Sequence, residues 1–245
     1  MLGLIFFLTV LVASTQGILA NRCTFPDLWS GTVDNEEYYV SGQKGTVFST
    51  FDISYDAANE RVAFDGHFYG RNAVFGNISL VALYEKKRAY VFLEEKEKLC
   101  LTVELEKDFE MWGIPTEAHI AYEYSKGGYN EEIDCKEWQM NVSSSALENK
   151  TMLPLNRQPD AVIWSIEVTS GNCVPLSEYT MAQYKRENVV YAVNNVFYYD
   201  FHPKQLNPKD FDIPPYCSDD VQAETNIDIL AFVQKAFSFS PAMKM

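Results

Sequence analysis

Alternating apolar and polar positions recur along most of the chain. Val62, Phe64 and Phe68 would share one face of an extended segment, whereas Arg61 and Asp65 would share the other. This period of two is typical of a β-strand that buries one face. The same signal predicts further strands at residues 46–53, 78–84, 89–93, 99–106, 118–124, 162–168, 173–181 and 189–199. The chain is therefore expected to be all-β.

The connections between these predicted strands are short and contain turn-forming residues. Residues 55–59 separate the predicted strand at 46–53 from the strand that contains Val62, and residues 85–87 separate the strands at 78–84 and 89–93. Such short connections favour antiparallel hairpins over helical crossovers. The strands at 78–84 and 89–93 are apolar on both faces. We therefore expect this hairpin to be covered on both sides, by a second sheet on one and by a ligand, a helix or a partner subunit on the other.

One segment near the C terminus has the period of a helix. Apolar residues recur at i, i+3, i+4, i+7 and i+8 from Ile229 to Phe237, behind the N-cap candidates Asp219 and Asp220. This pattern predicts an amphipathic helix at about residues 219–237, which is a candidate cover for the hairpin. Its polar side lacks the Lys and Arg of membrane-surface helices, so we expect it to pack on the body.

The N terminus has the form of a secretion signal. Residues 1–17 carry no charged side chain, and the apolar run at 2–12 is too short to span a bilayer. Cleavage after Gly17 or Ala20 would remove a signal peptide at residues 1–20 and leave one domain at residues 21–245. All-β sandwiches and barrels of that length commonly form a single unit.

Glycosylation signals and cysteines support an extracellular location. Three triplets match the acceptor pattern, at Asn77, Asn141 and Asn149. In the oxidising secretory route the five cysteines should largely form disulfides, with one left over. The net charge of −14 argues against nucleic acid and anionic membranes as partners, while basic ligands, cations and mineral surfaces stay open.

Motifs of enzymes are missing from the sequence. It contains no G-x-S-x-G elbow, no phosphate-binding P-loop, no H-E-x-x-H and no C-x-x-C. We therefore expect no enzyme and no cofactor, although an irregular calcium site needs no motif. Aromatic residues make up 14% of the chain, and those not used in the core could line an apolar pocket.

Several motifs, in order and spacing, resemble the ependymin-related protein family over nearly the whole mature chain. They include Cys23-Thr24-Phe25-Pro26 with Trp29 and Gly31, Tyr55-Asp56 with residues 59–62, Tyr90, Gly113-Ile114-Pro115, Trp138, residues 164–168, Cys173-Val174-Pro175, and the closing run at residues 207–217. The closing run resembles the family's Pro-x-x-Phe-x-x-Pro-x-x-Cys pattern.

The resemblance implies a fold and a function class. It implies two curved antiparallel sheets that form a half-open barrel, similar to bacterial lipoprotein-carrier proteins, with a deep apolar pocket and frequent homodimers. It also implies lipid or other hydrophobic cargo, and associations with calcium and the extracellular matrix. The disulfides implied are Cys23–Cys173 and Cys100–Cys217.

The sequence departs from the vertebrate family pattern at its other cysteines. A cysteine before the strand at 78 and its partner after Cys217 are absent, whereas Cys135 is additional. The flanking Asp134 and Lys136 predict that Cys135 is exposed, as an intermolecular bridge or a free thiol, and we favour the bridge.

Two functions from different classes fit these features. The first is a secreted glycoprotein that binds a lipid or other hydrophobic small molecule in an apolar pocket between the sheets. The predicted pocket residues are Phe64, Phe68, Leu80, Phe92, Leu101 and Trp164. The alternative is an acidic structural or adhesion protein associated with calcium or with an extracellular matrix, including a mineralised one.

Overall fold

The computed structural model describes residues 23–38, 46–69, 74–93, 98–105, 108–128, 130–142, 159–184 and 189–220. The predicted signal peptide, the sequon at Asn149 and nearly all of the predicted helix at 219–237 lie outside these residues. Asp219 and Asp220, where that helix was predicted to begin, lie in a bend. Among the described residues, no helix is long and apolar enough to cross a membrane.

The described chain forms eleven strands, and the predicted all-β antiparallel class is confirmed. In chain order they are β1 (Leu28–Tyr38), β2 (Thr46–Asp56), β3 (Arg61–Tyr69), β4 (Val74–Leu83), β5 (Arg88–Leu93), β6 (Leu99–Glu104), β7 (His119–Lys126), β8 (Ile133–Val142), β9 (Ala161–Thr169), β10 (Pro175–Tyr184) and β11 (Val189–Pro203). They form one continuous sheet in the order β6-β5-β4-β3-β2-β1-β11-β10-β9-β8-β7, because β1 pairs with β11 and joins what would otherwise be two sheets.

The sheet curves around one hydrophobic core. Leu80 of β4 and Leu101 of β6 belong to the same buried cluster as Trp164 and Ile166 of β9, which lie in the other half of the sheet. A flat sheet could not bring these side chains into one cluster. The edge strands β6 and β7 are not hydrogen-bonded to each other in the described residues, so the sheet is a half-open barrel.

An aromatic plug closes one end of this barrel. Trp112 lies between the strands in the segment at residues 108–118, with its ring centroid 4.8 Å from that of Tyr55 and 5.9 Å from that of Trp29. The Trp112 backbone N–H donates to the Tyr55 hydroxyl at 3.0 Å. The disulfide Cys23–Cys173, implied by the resemblance, is formed and ties the N-terminal segment to the turn after β9.

The hairpin of β4 and β5 is covered on both faces, as the pattern predicts; the predicted helix, a candidate cover, lies almost wholly outside the described residues. Its inner face joins the main core, and its outer face joins a second cluster with Phe211. Phe211 belongs to residues 206–217, which we call the strap and which include a short 3₁₀ helix at Pro208–Phe211. The second implied disulfide, Cys100–Cys217, ties the strap to β6; we call it the strap disulfide.

Two strands, β1 and β8, were not predicted. The inward positions of β1 include Gly31 and Asn35 between apolar residues, and an inward position of β8 holds Lys136 beside the buried strand β9. These polar or small residues break the period of two on which the strand prediction depends.

The prediction that Cys135 is exposed is wrong, since only 1% of its surface is accessible. Cys135 lies on β8 between Tyr124 of β7 and Thr169 of β9. Successive residues of a strand face opposite sides, so the charged neighbours Asp134 and Lys136 say nothing about the environment of Cys135. Burial also argues against the intermolecular bridge.

Candidate ligand-binding site

The concave face of the sheet collects most of the predicted pocket residues. Phe64, Leu80, Leu101 and Trp164 lie in the main core, with accessible fractions between 0% and 6%. Their strands place them there because every second residue faces the same side. Packed this tightly, they form an apolar interior surface, and none of the four is exposed to solvent.

The other two predicted pocket residues do not join them. Phe92 faces the convex side of the sheet, where it packs in the second cluster with Phe211. The side chain of Phe68 lies outside the described residues. The strand of Phe92 is apolar on both faces, so the sequence could not tell which face looks inward.

A band of polar side chains crosses the concave face on four adjacent strands. In one row, Glu178 of β10 pairs with Val196 of β11, Val196 pairs with Asn35 of β1, and Asn35 pairs with Ser49 of β2. Thr180 pairs with Asn194 in the next row. Glu178, Thr180, Asn35 and Ser49 are each at most 2% exposed.

The polar band lies on the side of the core away from the plug. Residues 39–45 and 185–188, which follow β1 and β10 in the sequence, lie outside the described residues. At the opposite end, Trp112 and the disulfide Cys23–Cys173 close the barrel. The interior therefore changes from aromatic at the plug to polar at the band.

The hydrogen bonds of the band are only partly made among the described residues. The Trp164 indole N–H donates to Glu178 at 2.6 Å, and the Asn35 amide donates to the Ser49 hydroxyl at 3.4 Å. The side-chain oxygens of Asn35 and Asn194 are buried and accept no hydrogen bond in the described structure. Buried polar atoms normally have partners, so these two acceptors call for a donor.

Burial keeps the phenol of Tyr198, next to the band, in its neutral form. Removal from water raises the pKa of Tyr198 well above its ordinary value, and the nearby carboxylate of Glu178 raises it further. A neutral phenol donates and accepts hydrogen bonds but carries no charge. The band thus offers hydrogen-bonding groups beside an apolar surface.

The polar band could not be predicted from the sequence, because none of its residues forms a motif. The available signal was a polar residue at an inward position of a strand, as with Asn35 two positions after Val33 or Thr180 two positions before Ala182. Inward polar residues are unusual in a core and need a reason.

A separate cavity of about 880 Å³ lies on the convex side of the sheet, between β1–β5, the end of β11 and the strap. Of the predicted pocket residues, Phe92 lines it from the outer cluster, and Phe64, whose side chain packs in the main core, borders it. Elsewhere on the surface, the sequon residues Asn77 and Asn141 are exposed. No group of three or more His, Cys, Asp or Glu within the described residues is arranged to hold a metal ion.

Comparisons with known proteins concern the fold alone. No family model and no curated protein matches the chain. Similar solved structures are an uncharacterized conserved protein from Thermus thermophilus (10% identity, 83% of this chain and 95% of that one, TM-score 0.46) and a LolA superfamily protein from Nitrosomonas europaea (11%, 78% and 93%, 0.32). A third is a β-barrel-like protein of a domain of unknown function from Brucella abortus (8%, 74% and 100%, 0.23). At these TM-scores the likenesses carry no argument about function.

Proposed function

We propose that this chain is a secreted, non-catalytic glycoprotein that binds an apolar small molecule on the concave face of its half-open barrel, with a hydrogen-bonding group of that molecule at the polar band. The observation that carries this proposal is the pair of buried acceptors, on Asn35 and Asn194, beside an apolar interior surface. Small-molecule sites are typically apolar with a few placed polar groups.

The chemistry of the band specifies the polar group of the ligand. The two amide oxygens accept hydrogen bonds, so they suit a hydroxyl, an amide N–H or another neutral donor. Burying such a donor without a partner costs on the order of 1–3 kcal/mol, and the same cost applies to each empty acceptor. A lipid or other apolar molecule that carries a hydroxyl group would remove the cost of its own donor and that of one of the two acceptors, because a hydroxyl has a single O–H to donate.

The extracellular part of the proposal rests on independent features. Two disulfides link distant parts of the chain, and disulfides persist in oxidising compartments. The exposed side chains of Asn77 and Asn141 are accessible to glycosylation in that compartment. Membership of the ependymin-related family, homodimer formation and association with calcium or matrix stay predictions from the sequence.

A matched pair of fluorescent probes tests the site. We expect 12-(1-pyrenyl)dodecanol to bind the detergent-free protein more tightly than 1-dodecylpyrene, which lacks the hydroxyl. Substitution Asn35→Leu should reduce this preference by about tenfold, because a lost neutral hydrogen bond is worth about 1 kcal/mol or somewhat more. Thr50→Val is the matched control, since Thr50 follows Ser49 on β2 and is exposed on the convex face.

Two results would count against the proposal in different ways. If neither probe binds to wild-type protein, the proposed function fails. If both bind with equal affinity and Asn35→Leu changes nothing, the apolar surface binds ligands but the polar band has no part in it.

A further inference from the structure

The cavity on the convex face is separate from the proposed concave site, because the sheet lies between them. Its floor is the outer face of β1–β4, and its roof is the strap from Lys209 to Pro215. At about 880 Å³, it falls within the range of about 300–1,000 Å³ that holds small organic ligands.

One wall of this cavity is apolar. Its lining includes Val81 and Phe92 of the β4–β5 hairpin and Ile213 and Pro214 of the strap, and Ile213 packs against the cluster of Val81 and Phe92. Phe92 and Val81 are 7% and 1% exposed, and both pack in the second cluster with Phe211. This wall provides contact for the hydrophobic body of a ligand.

The remaining lining is strongly acidic. Five aspartates line the cavity, at positions 52, 65, 200, 210 and 212, against one lysine, Lys209. None of the ion pairs among the described residues involves these five aspartates. Like charges confined to a concave surface reinforce each other's potential, so the cavity attracts positive charge.

Hydroxyl groups of the sheet fix three of these carboxylates in place. Thr32 donates to Asp52 at 2.8 Å, and Ser79 donates to Asp65 at 2.6 Å. Ser54 donates to Asp210 of the strap at 2.5 Å. The acidic groups are thus positioned by both the sheet and the strap, before any ligand arrives.

We infer that the convex cavity is a second binding site, and that its ligand is an organic cation: an amine with a hydrophobic body. The apolar wall takes the body, and the aspartates take the ammonium group. A metal ion fits less well, because the carboxylates are spread over the cavity and do not form a group of three that could hold one within the described residues.

Calorimetric titration with three matched naphthalene compounds tests this inference. They are 2-(2-naphthyl)ethylamine, 2-(2-naphthyl)ethanol and 2-naphthylacetate, which share one body and differ in charge. We expect the amine to bind at least about tenfold more tightly than the alcohol, and the carboxylate not to bind. The affinity of the amine should fall about threefold to tenfold as salt rises from about 20 to about 300 mM.

Asp65→Asn removes one charge and keeps an oxygen that can accept from Ser79. It should weaken binding of the amine about threefold to tenfold and leave that of the alcohol unchanged. Asp134→Asn is the matched control, because Asp134 also accepts from a serine, Ser125 at 2.8 Å, but lies on β8 outside the cavity. It should change neither affinity.

Three outcomes would overturn the inference: equal affinity for amine and alcohol, an unchanged amine affinity in Asp65→Asn, or displacement of the amine by submillimolar calcium chloride, which would make the cavity a metal site. The concave site is tested separately. The amine should change neither the affinity of the pyrene probes for the wild-type protein nor the effect of Asn35→Leu on that affinity. Failure of one site therefore leaves the other standing.

Discussion

Phe211 is the residue that holds the strap against the sheet, so its removal should affect stability and the convex cavity together. Its ring is 6% exposed and packs in the cluster with Val81 and Phe92. The Arg61 guanidinium lies over the ring, 4.0 Å from its centroid. The strap disulfide, the hydrogen bond from Ser54 to Asp210 and the packing of Leu206, Ile213 and Tyr216 on the same cluster also attach the strap.

The substitution Phe211→Ala should lower the free energy of unfolding by about 3 kcal/mol. Truncating a buried Phe to Ala costs about 3–5 kcal/mol. The lower end applies here because the strap is a surface segment that can partly collapse into the space left by the ring. This figure includes loss of the cation–π contact, which accounts for about 0.5–1 kcal/mol. For a chain of this size the melting temperature should fall by about 6–12 °C.

Hydrogen exchange distinguishes local opening of the strap from global destabilisation. The amides of Asp210, Asp212 and Cys217 are hydrogen-bonded within the strap and should lose protection in Phe211→Ala. Phe48→Ala is the control, because Phe48 is 46% exposed on β2, and it should cost less than about 1 kcal/mol. A melting temperature within about 2 °C of wild type, with unchanged exchange of these three amides, would refute the assigned role of Phe211.

Three further predictions concern the disulfide, the free thiol and acid stability. The strap disulfide joins cysteines 117 residues apart in the sequence. Replacing both cysteines by serine should lower the free energy of unfolding, measured with guanidinium, by about 5 kcal/mol. A loss below about 1 kcal/mol would contradict this chain-entropy estimate. Burial, followed by the carboxylate of Glu167, raises the pKa of the Cys135 thiol, so it should react with Ellman's reagent only after unfolding; rapid reaction of the native protein would show that it is accessible. Burial alone would raise the pKa of Asp56, but hydrogen bonds from Asn59 and Arg61 outweigh this and hold it below 3.8. A carboxyl whose pKa is lowered by folding stabilises the folded state at pH values above its ordinary pKa, and this stabilisation is lost as the pH falls. The difference in melting temperature between wild type and Asp56→Asn should therefore shrink between about pH 5 and about pH 3. A difference that stays constant over this range would exclude the effect.

The strands with regular alternation could be predicted from the sequence, whereas the connection between the two halves of the sheet could not. Val62 and Phe64 lie on one face of β3 as the period requires. The pairing of β1 with β11 joins segments that are far apart in the sequence. In addition, Gly31 and Asn35 occupy inward positions of β1 and interrupt the apolar alternation by which a strand is predicted. The resemblance to the ependymin-related family implied two sheets, whereas the structure has one continuous sheet.

The same limit applies to the sites. The apolar interior around Leu80 and Trp164 follows from periodicity, but the side on which Phe92 lies does not, because its strand is apolar on both faces. The polar band and the convex cavity gather residues from distant strands and from the strap, without any local motif. Such sites appear only when the register between strands is known.

The most direct test of the proposed binding function is mass spectrometry of an organic extract from the secreted, glycosylated protein, purified without detergent. Asn35→Leu protein and a mock purification provide the controls. We expect a stoichiometric apolar compound with a hydrogen-bond donor in the wild-type extract, and we expect that compound to be depleted in the extract of Asn35→Leu. An extract that matches the mock purification would contradict the claim that the concave face binds an apolar ligand.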